Sequence, residues 1–452
     1  MALALTMMVG SGRALAAQGA APDTAKAGTP ITFEDAVQLA LRQNITVAQA
    51  QNAAASDAAS VRGAKLSFLP SLQVSTSGSQ TYGRNFSETT GDVLNHNTQS
   101  LNAGISSSIT LFNGMQNVDQ LHAAEKTQDA GTLDLTRARQ TAVFTVASNF
   151  LSIITAQGQL EVQQENLASL EAQEVEIRKL VDAGARAISD LYSQQATTAA
   201  ARLAVLNARH DLELGKVDLE QTLRLDPKGT YDFVAPTVDE SAAASAHYDL
   251  DSLVNLAYAQ RADLAAESAR LDASTQNVKA ANAGWWPTVS LSAGYNSSFT
   301  TASAQPFLNQ LDNARGGSIA IGVSIPIFDR GQTSVDAQKA KIQEDNAKLA
   351  LDAQKQQVAL EVKRAYLDFQ SAGEQLAAAE AQQKASDLAV TTSQQRYQAG
   401  AGTLVELTQA RAAQVQAASA VVNARYALVF QQALMSYYTG QLDPGRALLS
   451  AA

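Results

Sequence analysis

Residues 183–191 (AGARAISDL) and residues 399–407 (AGAGTLVEL) share one pattern, in which an Ala-Gly pair is followed at fixed distances by an aliphatic residue, an acid and a leucine. The two copies lie 216 residues apart. Further motifs recur in the same order at nearly this offset: Leu-Pro at 69–70 with Trp-Pro at 286–287, Phe-Asn-Gly at 112–114 with Phe-Asp-Arg-Gly at 328–331, and Leu-Asp-Pro at 225–227 and 442–444. Low-complexity similarity in alanine and glutamine would not keep glycine, proline and an acid in register. The sequence therefore predicts two copies of one unit.

The longest segments of each copy have the pattern of very long helices. No proline occurs between Met115 and Val181 or between Gln332 and Ala399. Apolar residues there recur at alternating spacings of three and four, which is typical of a coiled-coil seam. At 1.5 Å per residue, each segment predicts a helix on the order of 100 Å long. Return helices are predicted over residues 188–225 and 404–438, so each copy ends in a helical hairpin.

Before each long helix the apolar period changes from 3.6 to 2. Apolar side chains alternate with small uncharged ones over residues 101–111, 289–295 and 319–327, and more weakly over 72–76. Such strands are commonest in sandwiches that pack one face on a core. A membrane barrel is favoured by the uncharged polar face, by aromatic residues near the strand ends, and by long polar loops at 82–100 and 300–317. We expect each strand to reach about the 9–11 residues that a tilted strand needs to cross a bilayer.

Four strands are too few to close a barrel, and an open sheet edge is not tolerated in lipid. The predicted barrel must therefore be shared between copies of the chain. Two copies would give eight strands, whose interior is filled by side chains, whereas three would give twelve and leave a passage.

Composition excludes several classes of function. The net charge of −10 argues against a nucleic-acid partner. The absence of cysteine excludes thiol catalysis, disulfides, cysteine-ligated zinc and a lipid on an amino-terminal cysteine. No apolar run is long enough for a transmembrane helix. The four histidines show no metal-ligand spacing, His96 falls in a predicted external loop, and no catalytic motif is present, so we expect neither an enzyme nor a cofactor.

The repeat also sets the expected boundaries. Residues 1–17 are predicted to be a signal peptide, because an apolar run ends in small residues; the alternative is an alanine-rich tail, since no basic residue precedes the run. The predicted units are N-terminal periplasmic helices (18–67), a first strand pair (68–113), a first long hairpin (114–225), an equatorial linker (226–248), the opening helices of the second copy (249–286), a second strand pair (287–329), a second long hairpin (330–438) and an equatorial tail (439–452).

From about Ile31 to Leu442 the chain resembles the outer-membrane efflux protein family, the TolC-like exit ducts of Gram-negative bacteria. The two hairpin turns carry the most specific part of the resemblance, and the Leu-Pro and Trp-Pro strand entries support it. The resemblance implies a mainly α fold with membrane β structure: long helical hairpins form an α-barrel, and four strands per protomer contribute to a trimeric twelve-stranded β-barrel. It also implies a homotrimer in outer-membrane lipid that works with a periplasmic adaptor and an inner-membrane transporter.

The resemblance further implies roles for residues at the hairpin turns. Gly184 and Gly400 would permit the turns that dock onto the adaptor, and Leu191 and Leu407 would pack against the adaptor or a neighbouring protomer. A second group would hold the periplasmic aperture closed or set its ion selectivity, and its members are Tyr397, Asp190, Arg186 and Glu406.

Two details qualify these roles. Gly402 stands where some members carry the arginine that completes the closed aperture, and Arg186 is the candidate to replace it. Asp190 and Glu406 have an alternative role, because acids near a helix N-terminus are stabilised by the helix dipole.

The sequence therefore predicts the passive exit duct of a tripartite efflux or type I secretion system. The alternative is a periplasmic or cytosolic coiled-coil scaffold without a channel.

Overall fold

The computed structural model of the chain describes residues 30–86, 91–234 and 248–442. The predicted signal peptide, residues 1–17, lies outside the described residues, as do parts of the predicted linker and tail.

Both copies share the order of two helices, two long strands, a long helix and a return helix, and each copy adds short elements of its own. The first copy contains β1 (Pro30–Ile31), α1 (Phe33–Gln43), α2 (Ile45–Leu66), β2 (Ser71–Phe86), β3 (Val93–Asn113), α3 (Gln116–Asp182), α4 (Ile188–Leu223) and β4 (Asp232–Phe233). The second contains α5 (Leu250–Gln260), α6 (Ala262–Asn282), β5 (Thr288–Thr300), α7 (Phe307–Asn313), β6 (Gly316–Ser324), α8 (Gln332–Gln398) and α9 (Leu404–Tyr438). Across the described ranges, no helix has both the length and the apolar character needed to cross a bilayer.

The helices α3 and α8 have 67 residues each, so each is about 100 Å long at 1.5 Å per residue. Each packs along the return helix that follows it, α4 or α9. Neither long helix contains a proline that would remove a hydrogen bond and kink it. The mainly helical fold with long hairpins agrees with the prediction.

Each long helix begins after two residues with left-handed backbone. Gly114 (φ 67°) and Met115 (φ 70°) precede α3, and Arg330 (φ 59°) and Gly331 (φ 82°) precede α8. A Cβ atom on Gly114 would lie 2.6 Å from the Cβ of Trp286, so glycine is required there by space as well as by φ. This close approach joins the end of β3 to the entry of the second strand pair.

The four long strands form one antiparallel sheet in the order β2-β3-β5-β6. Strands β3 and β5 join the two copies, with Ser100 opposite Thr300 at one end and Asn113 opposite Thr288 at the other. Among the described residues, the edge strands β2 and β6 have no further partner. Large apolar side chains are exposed on this sheet, including Leu72, Val74, Ile319, Ile321 and Val323. The sheet of one protomer is therefore open and largely uncovered.

The strands β2 and β3 are longer than predicted, with 16 and 21 residues. Their pairing continues to Phe86 opposite Val93, so most of the predicted loop at 82–100 is strand. The backbone of His96 lies in β3 opposite Gly83, not in an external loop. The loop prediction was wrong because backbone pairing needs only a facing strand, and polar side chains are tolerated wherever a sheet face is not buried.

The second strand pair differs from the prediction in two places. The predicted loop at 300–317 contains the short helix α7. Strand β6 ends at Ser324 instead of Ile327, because Pro326 has no N–H with which to continue the ladder.

The main core lies where α1, β1 and β4 pack against the middle of the long helices. Phe150 of α3 is in edge-to-face contact with Phe33 and Phe233, at centroid distances of 5.4 and 6.2 Å. Val358 of α8 belongs to the same cluster, so both copies share one core. The start of α1 is fixed by Thr32, whose side chain and that of Asp35 form a reciprocal capping box.

A buried ion cluster lies beside this core at the joint between α5 and α6. Arg261 is 3% exposed and donates hydrogen bonds to Asp263 and to Glu361 of α8, at 3.0 and 2.5 Å. Arg137 of α3 lies 3.7 Å from Asp263 and donates to the carbonyl oxygen of Tyr437 in α9. Burial alone would lower the pKa of Arg261, but the hydrogen bonds to the two carboxylates raise it overall. The cluster thus links four helices, and no sequence motif predicted it.

Candidate functional site at the hairpin tips

Both hairpins turn through the same backbone motif. Gly184 has φ 72° and Gly400 has φ 74°. The N–H of Gly184 donates to the carbonyl of Val181 and the next N–H to that of Leu180, and the second turn repeats both hydrogen bonds. This pair of bonds is the Schellman motif, which satisfies the last carbonyls of a helix. A Cβ atom on either glycine would meet no atom within 4 Å, so the left-handed φ and not lack of space requires glycine.

The two predicted acids lie in the first turn of the return helices. Thr403 caps α9, and its Oγ1 accepts a hydrogen bond from the N–H of Glu406 at 3.2 Å. Asp190 has the matching position in α4, where Ala187 supplies no side-chain cap. The Glu406 carboxylate is about half exposed and lies 3.9 Å from the guanidinium of Arg396. Its position in the first turn of α9 allows the helix dipole to stabilise its charge, and its exposure leaves the carboxylate accessible to ions.

The two predicted contact leucines are buried within the protomer. Leu191 and Leu407 are 9% and 1% exposed and pack with Ile177, Tyr397 and Leu404 in one apolar cluster. A side chain buried in this way offers no surface to another chain, so assigning Leu191 and Leu407 a direct contact with the adaptor does not agree with the structure. The apolar side chains exposed at the tips are Ile188, Tyr192 and Val405. The sequence analysis did not single them out, because the apolar pattern marks the buried seam of a helix and these three residues lie beside it.

Arg186 connects the two hairpins. It lies in the turn between α3 and α4, and its Nη2 donates to the carbonyl oxygen of Tyr397 at 3.0 Å. Its guanidinium also lies over the Tyr397 ring, 4.3 Å from the centroid, in a cation–π contact. Tyr397 is in the last turn of α8, so a residue of the first hairpin is attached to the end of the second.

Gly402, which stands where the resemblance would place an arginine, lies in a tightly packed part of the turn. A Cβ atom there would lie 3.2 Å from the Cβ of Arg396 and 3.2 Å from the backbone nitrogen of Tyr397. A larger residue would therefore be accommodated only if these neighbours moved by a few tenths of an ångström. The guanidinium that contacts Tyr397 comes from Arg186 instead, as the sequence allowed.

The Tyr397 hydroxyl is buried and has no hydrogen-bond partner in the described protomer. Burial raises the pKa of this phenol; the charge of Arg186 opposes the shift, and the charges of Asp190 and Glu176 add to it. Asp190 is therefore close enough to influence Tyr397 but does not accept its hydrogen bond. Among the described residues Tyr397 and Asp190 form no hydrogen bond with each other, so their role in holding the aperture closed stays a prediction.

A cavity of about 330 Å³ lies between the hairpins beside these turns, and Tyr397, Arg186, Glu176 and Arg411 are among the residues that line it. The Nη1 atom of Arg411 is buried and has no hydrogen-bond partner among the described residues. Burial lowers the pKa of Arg411, and the charge of Glu176 opposes the shift. Sequence reasoning missed Arg411, although it follows Leu404 and Leu407 at the spacing of the seam, where a charged residue is unusual.

Comparison with known proteins decides the family. The model of the outer membrane efflux protein family matches residues 36–223 and 253–441, one match in each copy of the repeat. The chain belongs to the outer membrane efflux protein family.

Individual efflux proteins agree with this assignment. The outer membrane efflux protein BepC of Brucella suis biovar 1 (strain 1330) is 23% identical over 353 residues, which cover 77% of this chain and 74% of BepC. The outer membrane protein TolC of Vibrio cholerae serotype O1 is 23% identical over 339 residues, which cover 72% of this chain and 73% of TolC. The crystal structure of CusC aligns with a TM-score of 0.78 at 18% identity and covers 90% of this chain and 92% of CusC.

Membership settles several predictions from the sequence. Proteins of this efflux family are outer-membrane channels and not enzymes, so the predicted location in the outer membrane and the non-enzymatic role are confirmed. The alternative of a scaffold without a channel is wrong for the same reason. The mainly helical fold class is also confirmed by the likeness to CusC.

Proposed function

We propose that this efflux protein is the trimeric exit duct of a tripartite efflux or type I secretion system. In this role it is a passive conduit, coupled through a periplasmic adaptor to an inner-membrane transporter that supplies the energy. The observation that carries the proposal is the open four-stranded sheet joined to two hairpins about 100 Å long.

The sheet supports the trimer. In lipid every backbone donor and acceptor needs a partner, so the free edges of β2 and β6 must pair with strands of neighbouring protomers. Three protomers would supply twelve strands and leave a passage, whereas two would supply eight and fill the interior with side chains. The exposed apolar residues of the sheet suit an outer face in contact with lipid.

The long helices also support association. Val335, Ile342 and Leu349 lie at seven-residue spacing on α8 and are exposed in the protomer. Leu203, Leu206, Leu214 and Val217 are exposed on α4. Stripes of this kind are the seams of coiled coils, and helices of neighbouring protomers would bury them in a closed α-barrel.

The tips are the proposed aperture. The contact of Arg186 with Tyr397 holds the two hairpins of one protomer together, so opening would require it to break. Threefold repetition of Glu406, and of Asp190, would place rings of carboxylates at the entrance and favour cations. The exposed apolar residues Ile188, Tyr192 and Val405 suit contact with the adaptor.

Two measurements test the duct. Purified protein should have the mass of a trimer in detergent and should give discrete conductance steps in a planar lipid bilayer. Leu349→Glu should weaken the trimer, because it places a charge in the exposed seam of α8, and Gln343→Glu on another face of the same helix is the matched control. A monomer without conductance would overturn the proposal.

A further inference from the structure

We propose that the cavity between the hairpin tips binds a small organic carboxylate, with Arg411 and Tyr397 as its principal donors. The site itself stands on the geometry of the described protomer. Only its expected effect on the channel rests on the proposed function.

Two unused donors point into one space. Tyr397 is 6% exposed, and its hydroxyl has no hydrogen-bond partner in the part of the chain that the structure describes. Arg411 as a residue is half-buried, but its Nη1 atom is buried and has no partner among the described residues, and both residues line the cavity. Buried donors without acceptors are rare in folded proteins, because each loses its hydrogen bonds to water and gains none. Arg186, which also lines the cavity, already uses Nη2 on the carbonyl oxygen of Tyr397.

Charge selects an anion. Arg411 forms no ion pair within 4.0 Å among the described residues, and the one carboxylate that acts on it, Glu176, is exposed and lines the cavity. A planar guanidinium matches a carboxylate in geometry and can form two parallel hydrogen bonds with it. The exposed charge of Glu176 disfavours a second negative charge, so a monoanion fits better than a dianion.

Size selects an organic ligand. The cavity of about 330 Å³ is at the lower end of the range of small-molecule pockets and far exceeds the roughly 30 Å³ of one water molecule. The amides of Gln173 and Gln394 line the remaining wall and can bind a polar group on the ligand.

The ligand would affect the aperture. Arg411 and Tyr397 belong to the second hairpin, whereas Gln173 and Glu176 belong to α3 of the first. A ligand that touches both stabilises the arrangement in which the hairpins are packed together. Carboxylate should therefore favour the closed aperture.

Fluorine NMR of difluoroacetate with the purified protein in detergent tests the site directly. We expect saturable line broadening that excess acetate reverses and that the dianion sulfate at equal concentration does not reverse. Arg411→Gln should weaken binding at least tenfold, and Tyr397→Phe should weaken it less. Arg209→Gln, which removes the same charge from an exposed position of α4, should bind as the parent protein does.

Three results would overturn the site: no saturable broadening, equal broadening in Arg411→Gln, or equal displacement by sulfate. The first would mean that water or a neighbouring protomer fills the cavity. The thermal midpoint of Arg411→Gln checks that the variant is folded. In bilayers, acetate should lower the open probability of the parent protein but not of Arg411→Gln. If no variant conducts, the proposed duct fails while the NMR result still decides the site.

Discussion

Gly400 and Gly373 differ in backbone conformation and in little else. Both lie in the second hairpin, and a Cβ atom on either would meet nothing within 4 Å. Gly400 has φ 74° in the turn, whereas Gly373 is in the interior of α8. Replacement by alanine therefore isolates the cost of left-handed backbone.

Gly400→Ala should destabilise the protein by about 1 kcal/mol, because an L-residue is strained at this φ. Gly373→Ala should stabilise it by about 1 kcal/mol, because alanine has the higher helix propensity. Thermal unfolding followed by far-UV circular dichroism compares the two. Shifts of the same sign would contradict the assignment of the turn.

A substitution at Glu406 tests the ion selectivity of the channel most directly. Glu406→Gln should lower the preference for cations, seen as a smaller reversal potential in a salt gradient across a planar bilayer. Glu374→Gln makes the same charge change at an exposed position in α8 and should leave selectivity unchanged. If the two variants have equal reversal potentials, Glu406 acts only at the N-terminus of α9.

At the scale of helices, Arg186 and Tyr397 lie 211 positions apart in the sequence, and their contact joins the two hairpins. A hydrogen bond contributes about 1 kcal/mol and a cation–π contact about 0.5–1 kcal/mol. Together they could shift an opening equilibrium about tenfold.

Arg186→Gln should therefore raise the open probability of the channel about tenfold in single-channel recordings. Arg178→Gln is the matched control, because Arg178 is exposed near the end of α3 and, within the described part of the chain, pairs only with Glu174 of its own helix. Equal opening of the two variants would show that another contact holds the tips together.

At the scale of the whole molecule, the Arg261 cluster holds α6 to the long helices of both hairpins. Arg261→Met leaves the carboxylates of Asp263 and Glu361 without their partner, and breaking a buried pair costs about 3–5 kcal/mol. Arg270→Met removes pairs with Asp134 and Glu267, but the Arg270 side chain is about two-fifths exposed, so the loss should be at most about 1 kcal/mol. The thermal midpoints of the two variants in detergent measure the two losses of stability. Equal decreases would contradict the prediction that the buried pairs of Arg261 contribute more than the exposed pairs of Arg270.

The same cluster predicts an acid dependence. Burial alone would raise the pKa of Asp263, but hydrogen bonding and charge from Arg261 hold it below the ordinary value of 3.8. Asp263 therefore contributes stability above pH 3.8 that is lost as the pH falls through the lower pKa of the folded protein. The thermal midpoint should decrease below about pH 4, and Asp263→Asn should show a shallower decrease. Parallel curves would assign the acid sensitivity to other carboxylates.

The sequence by itself determined the features that depend on neighbouring residues. Motif order established the repeat, proline-free seams predicted the two long helices, and the Ala-Gly pairs predicted the turns at Gly184 and Gly400. Alternation predicted four strands, but it gave the wrong lengths for β2, β3 and β6. The lengths of β2 and β3 depend on the pairing between these two strands, and β6 ends before Pro326.

Only the tertiary structure decided which side chains are buried and which distant residues meet. Leu407 is buried and Val405 exposed, although both are aliphatic residues of one helical turn. Arg261 meets Glu361 across 100 positions, and Arg186 meets Tyr397 across 211. The physical reason is that burial and charge pairing depend on how separate helices pack, and the pattern within one helix does not specify its neighbours.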